Sequence, residues 1–344
     1  MQAASNRNNT IDVVRLIASL LIITLHISYS TANETLAGLY RLAGRCGVPF
    51  FFMVSGYFYQ RSLDRSPLFA FKKNFTKIFN LIIIANLVYI PRSYILTHHF
   101  YSAQYITVGD CFNLWYLYAL LIGIGAVYLL FKWKVNHKIL FGLIFFIIAA
   151  ELLTDSHSYL LARNTHDLFV RYVRPFISIP FMLIGALFYK NNHFKKLINK
   201  DIGLILLISG FIIQIAEAEL ISFYTHKSIV VHQFLIGTFI YSIGIFILSL
   251  SLDLKSSLLG KAGEKYSLFI YLYHPVLITI LDISNYTSVF NGNVILLFPI
   301  PIFFITLFAG VFIDKYIPWL FLVLNGSIKE AFNKKKAPLS AHNL

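Results

Sequence analysis

Apolar residues in this chain fall into long blocks separated by short polar, largely basic stretches, without the alternation that would mark half-buried strands. Read at the length needed to cross a bilayer, roughly 20 residues, the blocks predict ten spans. They lie at about 11–30, 44–60, 76–97, 112–131, 139–153, 174–190, 201–219, 231–251, 267–283 and 293–313. The expected architecture is an all-α polytopic membrane domain over residues 11–315, preceded by a short N-terminal segment, 1–10. Residues 316–344 complete it as an interfacial stretch and a basic tail; 317–324 is too short to span and is expected at the interface, anchored by Trp319. Residues 329–344 are expected to be disordered. No cleavable leader is expected, because the first block is long, lacks a small-residue cleavage site and is followed directly by further spans.

Composition excludes a soluble domain: of 344 residues 58% are hydrophobic and 13% charged, with mean hydropathy +0.70. A formal net charge of +14 would suggest nucleic acid in a soluble protein, but here the placement of the basic residues decides their meaning. With the N-terminus inside, the inner loops and the tail hold most of the 29 lysines and arginines. That bias predicts both termini in the cytoplasm and a lipid environment, with no nucleic-acid partner. Arg41, Arg45, Arg163, Arg171 and Arg174 fall on the outer side, against the bias. They are candidates for binding something anionic there, or they pair with outer acids such as Glu34, Asp155 and Asp167. Cys46 and Cys111 form no metal-ligand pattern and read as buried thiols, with a disulfide conceivable at the outer span ends. His157 and His166 have no further ligand at metal spacing, so no metal site is expected.

Polar residues inside the apolar blocks change the picture. The first block carries Asp12, Arg15 and His26, and each ionisable residue in lipid costs about 2.5–3.5 kcal/mol on insertion scales. In a helix Arg15 and His26 share one face, about 16 Å apart, which calls for a polar interior cavity. Asp12 would lie about 21 Å from His26 and is expected to pair instead with a basic neighbour such as Arg15. Histidine titrates near neutral pH, so His26 is the candidate general base, or else a packed core histidine bonded to a carbonyl. Ser55 lacks a Gly-x-Ser-x-Gly surround and reads as packing, beside a Gly56 that admits a close neighbour. Trp115 and Tyr118 are expected at the outer end of the fourth span, and His274 precedes a proline that frees a helix carbonyl. Glu217, Glu219 and Asp282 could meet an acceptor's hydroxyls or simply be solvated at the interface.

Taken in order, Asp12-x-x-Arg15 with ten residues between Arg15 and His26, RCGVPFFFMVSGY, LWYLYAL and YLYHP resemble the acyltransferase-3 family of integral membrane proteins over about residues 10–315. The resemblance implies transfer of an acyl group, usually acetyl, from cytoplasmic acyl-CoA to a hydroxyl or amine of a sugar or glycan at the outer side of a bacterial plasma membrane. It makes His26 the essential histidine with Arg15 as its partner, and draws Arg45, Trp115, Tyr118 and His274 into an acceptor or structural site. Where the family often has an Arg-x-x-Arg pair, this chain has Lys72, Lys73 and Lys77, which keep the charge for donor phosphates without the guanidinium fork. Acyl-CoA enters as co-substrate, and no cofactor is held permanently. Membrane portions of certain serine racemases resemble the same family, so uptake of a small amino acid such as serine is the alternative function.

Overall fold

A computed structural model describes residues 8–29, 32–97, 114–160, 173–283 and 292–336, and all regular structure among them is helical. The principal helices are α1 (Asn9–Thr24), α2 (Glu34–Gly44), α3 (Gly47–Leu63), α4 (Pro67–Thr97), α5 (Trp115–Lys132) and α6 (His137–Thr154). There follow α7 (Ser178–Lys190), the short α8 (Asn192–Lys196), α9 (Lys200–Thr225), α10 (Ile236–Ser251), α11 (Leu258–Ile283) and α12 (Pro299–Tyr316), then α13 (Pro318–Leu324) and α14 (Ile328–Lys336). Five helical stretches are long and apolar enough to cross a membrane: Pro67–Pro91, Trp115–Lys132, His137–Thr154, Lys200–Thr225 and Gly292–Tyr316. Large apolar side chains point away from the protein, among them Phe145 (76% exposed), Phe223 (74%) and Phe308 (64%). Water would penalise such a surface and lipid does not.

Asparagines start several helices. Asn8 accepts from the Thr10 and Ile11 N–H groups at 2.9 and 3.2 Å to begin α1, and Asn33, Asn136 and Asn199 cap α2, α6 and α9 in the same way. Each cap satisfies orphan donors and is worth about 1 kcal/mol.

Four boundaries differ from the sequence reading. The first block is not helical to residue 30: α1 stops at Thr24 and the chain tightens, with Leu25 and His26 donating to the carbonyls of Ile22 and Ile23, both at 3.0 Å. The stretch read as the first outer loop contains α2, which buries Ala37, Gly38, Leu42 and Gly44. The sixth block opens with a separate turn, Arg174–Phe176, before α7. The tail expected to be disordered instead begins with α14, whose Ala331 is buried.

Two contacts place the site. Helices α1 and α11 pack in parallel: Ser19 Oγ donates to the Ser267 carbonyl at 3.1 Å, and Gly263 lies so close to the Asp12 carbonyl that a Cβ there would overlap it. Helices α3 and α7 run antiparallel, with Gly56 against the Met182 backbone and Gly185 against that of Met53, so the predicted close approach at Gly56 is present. The Asp12–Arg15 pair is also present, at 3.3 Å. Cys46 is a buried free thiol, while Cys111, Arg163, His166 and Arg171 lie outside the described residues.

Candidate active site

Because α1 ends at Thr24, His26 projects from a turn rather than from the helix face that carries Arg15. It lines a cavity of about 450 Å³ together with Arg41, Arg45, Trp115, Glu151 and Arg174. Its imidazole stacks on that of His274, ring centroids 5.3 Å apart and planes 28° apart. His274 is fully buried on α11, and its Nδ1 lies 2.9 Å from the Ile270 carbonyl. A carbonyl can only accept, so Nδ1 carries the proton and Nε2 is left as an acceptor. Pro275 beside it removes a helix N–H, and Tyr89 Oη donates to the Leu272 carbonyl of the same helix at 2.6 Å.

The arginines reach this cavity from three places. Arg41 lies on the last turn of α2, where Nη2 donates to the Ile27 carbonyl at 3.0 Å. Arg45 lies between α2 and α3, with Nη2 3.5 Å from the Val230 carbonyl. Arg174 stacks over Trp115, its guanidinium carbon 4.1 Å from the ring centroid. Glu151 enters from α6, 1% exposed, with Oε2 buried and unpartnered.

One wall of the cavity comes from the segment around 230–234, which two acids hold. Asp155 accepts from the Gln233 and Phe234 N–H groups at 3.1 and 2.6 Å and from Ser156 Oγ at 2.9 Å. Glu217 accepts from the Ile236 and Gly237 N–H groups, both at 3.0 Å, at the start of α10. The same carboxylate meets His157 Nε2 at 3.1 Å, and this hydrogen bond is the main reason that the His157 pKa is raised. Glu217 is thus a helix cap and an ion-pair partner; Glu219 is exposed, and the Asp282 side chain is outside the described residues.

A second cavity, about 340 Å³, contains Arg15, Ser55, Asn74, Lys77, Tyr116 and Tyr271. Lys72 and Lys73 are exposed on the same helix, away from it. Tyr271, 2% exposed, borders both cavities. Its ring meets Tyr116 edge-on at 4.8 Å and Phe51 at 6.1 Å, so a layer of aromatic rings separates Arg15 from His26.

Of the residues expected from sequence, His26, Arg45 and Trp115 share the first cavity, with His274 behind His26. Arg15 and Lys77 share the second. Tyr118 lines neither: its hydroxyl accepts from Asn86 Nδ2 at 3.0 Å. Glu151 and Tyr271 were not singled out as site residues. Glu151 could have been found as the lone acid near the end of an apolar block, and Tyr271 only as part of the YLYHP motif.

An all-helical protein with apolar outer faces, an internal histidine pair and two polar cavities defines a membrane-embedded enzyme-like or transporter-like domain. The profile of the acyltransferase-3 family, described as an acyltransferase domain, matches residues 8–314, and the chain belongs to that family. An amino-acid racemase of Enterococcus faecalis is 32% identical over 158 residues, covering 43% of this chain and 22% of the racemase. The chain thus matches about a fifth of that relative's length. No solved structure matches the chain.

Proposed function

We propose that the protein transfers an acyl group, acetyl by preference, from cytoplasmic acyl-CoA to a hydroxyl of a cell-envelope carbohydrate, working as a ten-span protein of a bacterial plasma membrane with both termini inside. The convergence of the two cavities on Tyr271 carries this reading: one holds cations suited to a phosphorylated donor, the other a histidine suited to activating an acceptor. Arg15 and Lys77 take donor phosphates, with Lys72 and Lys73 as point charges along the approach. The acyl-bearing arm passes the aromatic layer to reach His26. His26 accepts the hydroxyl proton as the acceptor oxygen bonds to the thioester carbon. The C–S bond then breaks, and the departing thiolate takes the proton back from the imidazolium. Arg45 supplies positive charge to the oxyanion formed between these steps, and His274 holds the His26 ring by stacking.

The test is thiol release from acetyl-CoA by the full chain in liposomes with a crude envelope-glycan fraction. His26→Ala is expected to lower acceptor-dependent release by about 10²–10⁴-fold while leaving donor binding in place. Equal rates in both proteins would remove His26 from the mechanism.

The racemase similarity supports a second reading, movement of a small amino acid such as serine, in a helix interrupted by Pro275. Radiolabelled serine uptake into the same liposomes, with no acetyl-CoA binding or consumption, would favour it.

A further inference from the structure

The His26 cavity holds more positive charge than the transfer step requires. One cation suffices for a thioester oxyanion, yet Arg41, Arg45 and Arg174 all line it. Among the described residues none of the three forms an ion pair. Asp155, whose Oδ2 accepts from two backbone N–H groups and a serine hydroxyl, and Glu151 act on Arg45 and Arg174 only through space, so three guanidiniums face at most two carboxylates and the cavity keeps an excess of positive charge. Each guanidinium carries five N–H donors, but among the described residues the three make two hydrogen bonds, both to carbonyls. The Nε atoms of Arg41 and Arg45 are buried without a partner, and so is Glu151 Oε2. Burying an unpaired charge is costly, and such charges persist where a ligand supplies the counter-charge.

We infer that the acceptor carries an anionic group, a carboxylate or a phosphate, which the guanidiniums of Arg41 and Arg174 hold while Glu151 accepts a hydrogen bond from one of its hydroxyls. This rests on the acyltransferase reading for the word acceptor, and the cavity's charge carries the rest. A polyhydroxylated acid fits both parts of the lining. The anion sits in the forks of the arginines, where charge-assisted bidentate bonds are strongest. A neighbouring hydroxyl bridges toward Glu151 and leaves another for His26. A neutral sugar would leave the cavity's excess positive charge unmatched.

The experiment is binding calorimetry on the full chain in nanodiscs without acyl-CoA, titrating glucuronate, its neutral methyl ester, glucose 6-phosphate and glucose. The better of the two anions is expected to bind at least about 10-fold more tightly than its neutral counterpart, the scale of charge-assisted hydrogen bonds. Glucuronate against glucose 6-phosphate tells which anion the site prefers. Arg174→Gln is expected to reduce anion binding by about 10-fold and to leave binding of the neutral ester unchanged. The comparison among ligands needs no mutant, so a misfolded variant does not blunt it. Binding of both anions no tighter than that of their neutral counterparts, or binding of neither anion, overturns the inference. Glucuronate binding without thiol release from acetyl-CoA upholds the anion site and counts against the acyltransferase reading. Equal thiol release with neutral and acidic glycans does the reverse.

Discussion

Arg15 and Arg174 both line internal cavities, but only Arg15 has a carboxylate of its own, Asp12 one turn away at 3.3 Å. Arg174 has the face of Trp115 instead. The difference separates two uses of a membrane arginine. A cation neutralised within its own helix is part of the scaffold and stays tolerable when the cavity is empty. A cation that leans on an aromatic ring beside two others raises the cost of the empty state and lowers it again when an anion arrives. Both cavities are read as ligand sites, but the Arg15 cavity keeps part of its charge matched when empty, whereas the His26 cavity holds more cations than acids.

Exchanging each arginine for glutamine tests that contrast most directly. Arg15→Gln removes the ion pair to the buried Asp12 carboxylate and is expected to cost about 3 kcal/mol of stability, along with donor affinity. Arg174→Gln removes part of the cavity's excess positive charge and is expected to leave the melting temperature unchanged or higher while weakening the acceptor side. Thermal unfolding of both variants in the same nanodiscs would break the comparison if the two shifts agreed. A smaller effect is expected at the α1–α11 contact on which both cavities depend. Gly263→Leu overlaps the Asp12 carbonyl, and overpacking of this kind costs about 1–3 kcal/mol. It should lower the unfolding temperature and the donor affinity together, since Arg15 moves with α1.

The smallest expected effect belongs to the wall of the His26 cavity. The His157 pKa is raised in the folded protein, first by its hydrogen bond to Glu217. Its stabilisation is therefore complete below the unfolded histidine value of about 6.5 and is lost as pH rises through the higher folded value. His157→Gln is expected to cost under about 1 kcal/mol near pH 5 and nothing near pH 9, read as the difference in unfolding temperature between the two proteins.

The helical class was legible because a long apolar block admits few other readings, while the asparagine caps before α1, α6 and α9 were available signals that the block pattern alone does not use. The Asp12–Arg15 pair was legible for the same local reason, three residues being nearly one turn. What escaped was whatever depends on a partner distant in sequence. Nothing local says that α1 stops two residues before His26, because the tightening there serves the approach to His274, far along the chain. Helix α2 escaped because eleven residues do not span and its buried face is built of small residues, Ala37, Gly38 and Gly44. The outer arginines were visible as exceptions to the charge bias, but two readings stood open. Asp155 bears on both readings, since its Oδ2 accepts from the backbone N–H groups of Gln233 and Phe234 while its charge still reaches Arg45 and Arg174, and no local pattern shows either contact.

The aromatic layer at Tyr271 also has an electrical meaning. On the proposed topology the Arg15 cavity faces the inner side and the His26 cavity the outer, and a membrane potential then falls mainly across the rings between them. A full charge carried across 100 mV changes in energy by about 2.3 kcal/mol, and here most of that drop would fall beside the Tyr271 ring. A neutral acyl-bearing arm can cross such a layer without feeling the voltage, whereas the phosphates behind it cannot. Turnover in liposomes should then respond weakly to an imposed potential, with any response arising from the charged ends of donor and acceptor rather than from the group being transferred.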